Sequence, residues 1–204
     1  MDNYSTASSS AVNTVSTYTI NSRTGDLSPT TLATVATGAN CFGAEGLAVD
    51  PSGRFAFVAN LMSNATDLAT ISMYTINSST GVLTPTAPPT VATGLSPIAV
   101  TVDPSGRFAY VSNQDDGTIS MYTINTSTGV LTPTTPATVS GGGGPFAVTV
   151  APSGKFAYAP VPYGNLVLHF TIDSVTGVLL PNTPSEVPAG NNPAWVAVDP
   201  CSFT

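Results

Sequence analysis

Alternation of large and small apolar residues marks strand-length segments along this chain, and no stretch carries the spacing of an amphipathic helix. The clearest run lies between residues 97 and 140. Ile98-Ala99-Val100-Thr101-Val102 predicts a strand, and Asp103-Pro104-Ser105-Gly106 a tight turn in which Pro fixes φ and Gly supplies a left-handed residue. A second strand follows at Phe108-Ala109-Tyr110-Val111-Ser112-Asn113 and a third at 118–125. In the third, Ile119 and Met121 fall on one face and Tyr122 and Ile124 on the other, so neighbouring sheets are expected to cover both faces. Beyond Thr126-Ser127-Thr128-Gly129 an outer strand is expected around Val130-Leu131-Thr132, with Pro133 and Pro136 withholding ladder donors from its free edge.

The whole phrase recurs. Its first turn returns at Asp50-Pro51-Ser52-Gly53 and Ala151-Pro152-Ser153-Gly154, and in altered form at Asp199-Pro200-Cys201-Ser202, with spacings of 53, 48 and 48 residues; its second turn ends at Gly25, Gly81, Gly129 and Gly177. A period near 50 residues with strand content indicates propeller blades. The predicted fold is all-β, a beta-propeller of four roughly 50-residue, four-stranded blades forming one domain over residues 1–204. The units are 44–96, 97–144 and 145–192, and a fourth is split between 1–43 and 193–204. Pro193–Asp199 reads as that blade's inner strand, while the N-terminus supplies a remnant around Asp2-Asn3-Tyr4, a third strand at 15–21 and an outer strand after Gly25. Either the ring closes within one chain, or the ends complete a neighbour's blade in an eight-bladed two-copy ring or an open fibre.

Composition narrows the partners. Only 7% of residues are charged, the net charge is −7, and the fixed cations are Arg23, Arg54, Arg107 and Lys155. That excludes a nucleic-acid binder, which must neutralise several phosphates, and argues against an anionic membrane surface. No apolar stretch is long enough for a transmembrane helix, and Met1-Asp2-Asn3 lacks the pattern of a signal peptide. The Thr/Ser-rich, charge-poor composition resembles that of secreted or cell-surface repeat proteins, so an extracytoplasmic location is expected. Cys41 and Cys201 fall by register on opposite propeller faces. A strand separates those faces by roughly 17–20 Å, against the ~7 Å limit between the Cα atoms of a disulfide. Two free thiols within a subunit are expected, with a bridge between subunits left open.

The repeated turns share one face; the loops opposite vary in length and chemistry, at 38–46, 61–70, 113–117, 141–145, 160–165 and 189–193. Ligand contacts are expected on that variable face. Its candidates are Glu45, Asp67, Asp115, Asp116, Tyr163 and Trp195. Asp115-Asp116-Gly117 and Asp67 bear oxygen ligands suited to calcium, but one loop does not supply six to eight of them, and the Asp residues read as turn formers. His169, the sole histidine, sits in the register of Met73 and Met121 and reads as a packing residue between blades. Gly141-Gly142-Gly143-Gly144 reads as a flexible connection between blades, like Gly94 and Gly190, because no Lys-Ser/Thr follows it. Arg54, Arg107 and Lys155 read as solvated cations at one turn position. Asp50, Asp103 and Asp199 are expected to accept hydrogen bonds from turn amides. No cofactor or metal is predicted.

Asp-Pro-Ser-Gly-Arg-Phe-Ala-Tyr-Val-Ser-Asn at 103–113, with Thr-Gly-Val-Leu-Thr-Pro at 128–133, resembles the bacterial lactonase-like beta-propeller family, related to 6-phosphogluconolactonase and to surface-layer propellers with a Tyr-Val-Thr-Asn repeat. The resemblance covers essentially the whole chain and rests on turn and packing residues. It implies a ring usually of seven blades, with Pro-His pairs at the inner-strand entries supplying polar groups to the channel. The aligned pairs here are Ala44-Glu45, Pro97-Ile98, Pro145-Phe146 and Pro193-Ala194, of which only Glu45 is ionisable. Lactone hydrolysis needs an activated water and a polarised carbonyl. The reading is therefore a non-catalytic binding or structural module for a protein or carbohydrate ligand, self-assembling through its split blade; the alternative is a lactonase-like hydrolase with a degenerate or incomplete site in which Glu45 is the catalytic candidate.

Overall fold

The computed structural model describes residues 13–37, 41–62 and 69–199. Fourteen strands and one 3-10 turn, Pro162–Gly164, make up its regular structure. A two-stranded sheet comes first, β1 (Thr14–Ile20) and β2 (Leu27–Ala36). Three four-stranded antiparallel meanders follow: β3 (Cys41–Val49), β4 (Phe55–Met62), β5 (Thr70–Ile76) and β6 (Leu83–Ala92); β7 (Pro97–Val102), β8 (Phe108–Asn113), β9 (Thr118–Ile124) and β10 (Leu131–Ser140); and β11 (Thr149–Val150), β12 (Phe156–Val161), β13 (Leu166–Ile172) and β14 (Leu179–Pro188). Each meander is one propeller blade.

The apolar core lies between blades, as the two-faced pattern of the third strand requires. Ile119 and Met121 pack with Val161, Leu168 and Phe170 of the following blade, while Tyr122 and Ile124 pack with Phe55, Ile71 and Met73 of the preceding one. Each joint also carries directional bonds. The Tyr122 hydroxyl donates to the Ala92 carbonyl at 2.7 Å, the Tyr110 hydroxyl to the Gly177 carbonyl at 2.9 Å, and the amides of Leu131 and Leu179 approach the sulfurs of Met73 and Met121 at 3.1 and 3.2 Å. Burial, reinforced for Tyr110 by the charge of Asp103, pushes both tyrosine hydroxyls above their ordinary ionisation range.

The outer strand runs further than the segment around Val130-Leu131-Thr132. β10 continues from Leu131 to Ser140 through both prolines and pairs with β9 in two stretches, 131–133 and 138–140, with a register shift between them. Pro133 and Pro136 lie on this edge strand of the sheet, where they withhold ladder donors as expected. Asp50 and Asp103 cap their turns as expected: Asp50 Oδ1 accepts from the amides of Arg54 (2.8 Å) and Phe55 (2.7 Å), and Oδ2 from the Ser52 amide (3.1 Å) and hydroxyl. Burial alone would raise the Asp50 pKa; these bonds outweigh it and hold the carboxyl below the usual carboxylate range.

Two expectations change in physical character. Arg54 and Arg107 are not merely solvated: each guanidinium donates across a blade boundary, to the carbonyls of Thr126 and Ser174, both at 2.8 Å, while lying over Phe55 and Phe108. Nor is Gly94 a flexible spacer. A Cβ there would overlap the side chains of Asn113 and Asp116, so close packing demands glycine. Gly141 is likewise pressed against Pro145. The remnant at 2–4, Asp67 and Cys201 lie outside the described residues, so the cysteine pairing does too.

Candidate functional site

The first and third turns of each blade share one face. Arg23, Arg54, Arg107 and Lys155, all the Lys and Arg of the chain, lie in or beside those turns. A shallow cleft between two of them is lined by Asp50, Arg54, Phe55, Ser105 and Thr126, but its polar groups are engaged in the turn and interblade bonds just described. The opposite, variable-loop face therefore has no fixed cation.

On that face the inner strands begin. β3 carries Glu45 at a half-buried position, inside a register shift between Ala44 and Leu47. Such bulges re-aim side chains next to working sites. The adjoining Gly46 lies so close to the next inner strand that a Cβ would stand 2.6 Å from the Ile98 carbonyl oxygen. β7 has a matching register shift between Pro97 and Ala99, which places Ile98 in the position equivalent to Glu45. In the following blade that position is Phe146, half-buried, whose carbonyl accepts from the Ser112 hydroxyl at 3.1 Å. The segment 193–199 then lies along β11: the Thr149 hydroxyl donates to the Val196 carbonyl at 2.8 Å, as the Thr101 hydroxyl does to the Val148 carbonyl at 2.7 Å. This chain segment thus occupies the place of the next inner strand. Trp195, 71% exposed, meets Phe146 edge-to-face with ring centroids 6.1 Å apart.

Successive inner-strand entries thus present a carboxylate, an aliphatic side chain and an aromatic pair. An exposed indole beside a phenyl ring suits the C–H face of a sugar or another apolar-faced ring. The sequence named Glu45 and Trp195 among its candidates; Phe146, at the repeat position of Glu45, was not among them.

Asp115, Asp116 and Tyr163 lie in loops of the same face. Asp116 Oδ2 accepts from the Leu95 amide at 2.6 Å and Asp115 Oδ2 from the Ser96 hydroxyl, so both tie down the connection between β6 and β7. Carboxylates spent on the fold in this way make poor calcium ligands. Tyr163, 80% exposed, stands in the 3-10 turn beside Gly144. His169 Nδ1 is 3.2 Å from Asn182 Nδ2, and its Nε2 is buried without a partner. Among the described residues no group of three His, Cys, Asp or Glu side chains is arranged to hold a metal ion, and no helix is long and apolar enough to cross a membrane.

The family described as lactonase, 7-bladed beta-propeller, matches residues 8–142. No curated protein matches the sequence. Among solved structures, the chain is similar to a candidate 6-phosphogluconolactonase from Bacteroides uniformis, with a TM-score of 0.71 and 19% identity over 87% of this chain and 49% of the other. It is also similar to the periplasmic gluconolactonase of Pseudomonas aeruginosa, with a TM-score of 0.68 and 18% identity over 85% and 49%. A protein of unknown function from Desulfotomaculum acetoxidans gives a TM-score of 0.68 and 17% identity over 93% and 56%. The chain spans about half the length of these structures, and the likeness at such identities is one of fold.

Proposed function

This chain belongs to the lactonase, 7-bladed beta-propeller family, and from that premise we propose that it forms the substrate-facing wall of a propeller that opens neutral sugar lactones. One observation carries the reading: in a chain of this family, the single ionisable residue at the inner-strand entries, Glu45, sits at a strand bulge on the same face as the Phe146–Trp195 pair. Glu45 takes a proton from the water that attacks the lactone carbonyl, the ring C–O bond breaks, and the proton passes to the leaving alkoxide to give the hydroxy acid. The aromatic pair stacks on the sugar ring and orients it.

Neutral substrates are favoured over phosphorylated ones because the four cations lie in or beside the opposite turns. A phosphate would enter a face of the wrong charge. The test is lactone ring opening by the chain and its Glu45→Gln variant; turnover abolished by the substitution supports the role, and unchanged turnover removes it.

A second reading is favoured by the apolar entries Pro97-Ile98 and Pro145-Phe146 and by the engagement of Asp115 and Asp116 in the fold. On it, the chain binds a carbohydrate without turnover. Titration read by the fluorescence of Trp195, the sole tryptophan, separates the two: binding with no hydrolysis selects the module.

A further inference from the structure

The outer strand of each four-stranded blade leaves its ladder at the same place. β10 pairs with β9 at 131–133 and again at 138–140, so residues 134–137 stand opposite Met121 alone. In the same way β6 sets 86–89 opposite Met73, and β14 sets 182–185 opposite His169. Bulges of this kind re-aim side chains. The first residue of each one turns inward and closes it: the Thr86 and Thr134 hydroxyls donate to the carbonyls of Pro88 and Pro136, both at 2.5 Å, and Asn182 Oδ1 accepts from the Thr171 hydroxyl at 2.7 Å.

The second residue of each bulge is exposed: Ala87, Thr135 and Thr183. Among the described residues nothing bonds the hydroxyl of Thr135 or Thr183, in contrast to the engaged Thr134 one place earlier. Prolines flank both, Pro133 and Pro136 around Thr135, and Pro181 and Pro184 around Thr183. An exposed, Pro-flanked threonine with a free hydroxyl is the acceptor that O-glycosylated Ser/Thr/Pro-rich segments present. Charge separates a sugar from a phosphate here. All four Lys and Arg residues lie in or beside turns, so a phosphoryl group on these strands would add to a net charge of −7 with no cation on the strand to pair with it. A neutral glycan adds no charge, and its bulk on the outer rim hinders the edge strand from pairing with another chain.

We propose that Thr135 and Thr183 are sites of O-glycosylation, presented to a glycosyltransferase by the bulges of β10 and β14. The threonine hydroxyl oxygen attacks the anomeric carbon of a sugar linked to a nucleotide or polyprenyl phosphate. A new C–O bond forms as the anomeric C–O bond to phosphate breaks; the phosphate leaves with the electron pair, and the hydroxyl proton passes to a base of the transferase. The blade of β6 lacks this acceptor, because Ala87 stands in the place of the two threonines. Both sites lie on the outermost strand of their sheets, at the opposite edge from the inner strands β7 and β11, so the glycan leaves the inner-strand entries open.

Mass spectrometry of the full chain purified from the organism that makes it, with fragmentation that keeps side-chain modifications in place, tests this. Whole hexose or N-acetylhexosamine units on Thr135 and Thr183 are expected. A bare hydroxyl at either residue, a phosphoryl group at either, or sugar confined to other residues overturns the proposal. Thr135→Val combined with Thr183→Val alters exposed side chains whose hydroxyls are unbonded, so this variant should keep its circular dichroism spectrum and lose periodate staining on a gel. Thr135→Ser combined with Thr183→Ser keeps both hydroxyls and should stay stained. Retained staining of the Val pair contradicts the assignment; a Ser pair as unstained as the Val pair ascribes the loss to a disturbed outer strand and also overturns it.

Discussion

The Arg54 guanidinium reaches 2.8 Å from the Thr126 carbonyl oxygen, across a blade boundary and 72 residues along the chain. The same side chain lies 5.0 Å from the centre of the Phe55 ring. One cation thus links its own turn, its neighbouring aromatic and the next blade. Arg54→Ala or Arg107→Ala should lower unfolding free energy by about 1 kcal/mol in urea titration, since each side chain is exposed and partly screened. Lys155→Ala, beside the exposed Phe156 ring, should change stability much less.

Glycine at the third turn is a packing requirement as well as a backbone one. Gly177 has φ +76 and lies under the Phe108 ring, whereas Gly53 has φ +70 and open space. Gly177→Ala should cost about 3 kcal/mol, combining strain with overlap, and Gly53→Ala about 1 kcal/mol from strain alone. Thermal melts of the two variants check the difference.

Asn113 is buried, and its amide group donates to Thr118 and Ser120 while its carbonyl oxygen accepts from Thr93. Asn60, in the same place one blade earlier, makes the first two bonds but leaves Oδ1 without a partner. Asn113→Ala should therefore destabilise by about 2 kcal/mol, and Asn60→Ala by roughly half of that, because less is lost.

Acid should unfold the protein partly through Asp50. Its folded pKa lies below the unfolded value of 3.8, so the unfolded state binds the proton more readily. The stabilisation is fully present above that unfolded value and is lost as pH falls through the folded one. Asp50→Asn should flatten the acid limb of a stability-against-pH curve; an unchanged limb would assign the effect to other carboxylates.

The second strand, Phe108–Asn113, was readable to the residue because alternation and a Pro-Gly turn fix both of its ends. The interblade core was legible from the two faces of 118–124 for the same reason. The roles of Asp115 and Asp116 were not: an Asp-Gly loop looks the same whether its carboxylates face solvent or hold a connection 19 or 21 residues earlier, and only the folded path brings Ser96 and Leu95 to them. Glu45 stood out as the lone charge at an inner-strand entry. The Phe146–Trp195 contact did not, because Trp195 lies one residue beyond the repeat position equivalent to Phe146 and the pairing depends on where segment 193–199 lies along β11.

The most direct test of the proposed activity is the initial rate of δ-gluconolactone ring opening by the chain, measured beside the 6-phosphorylated lactone and repeated with Glu45→Gln. The account predicts faster turnover of the neutral lactone and its loss in the variant by about a hundredfold or more. No turnover above the buffer rate, preference for the phosphorylated substrate, or a variant as active as the parent would contradict it.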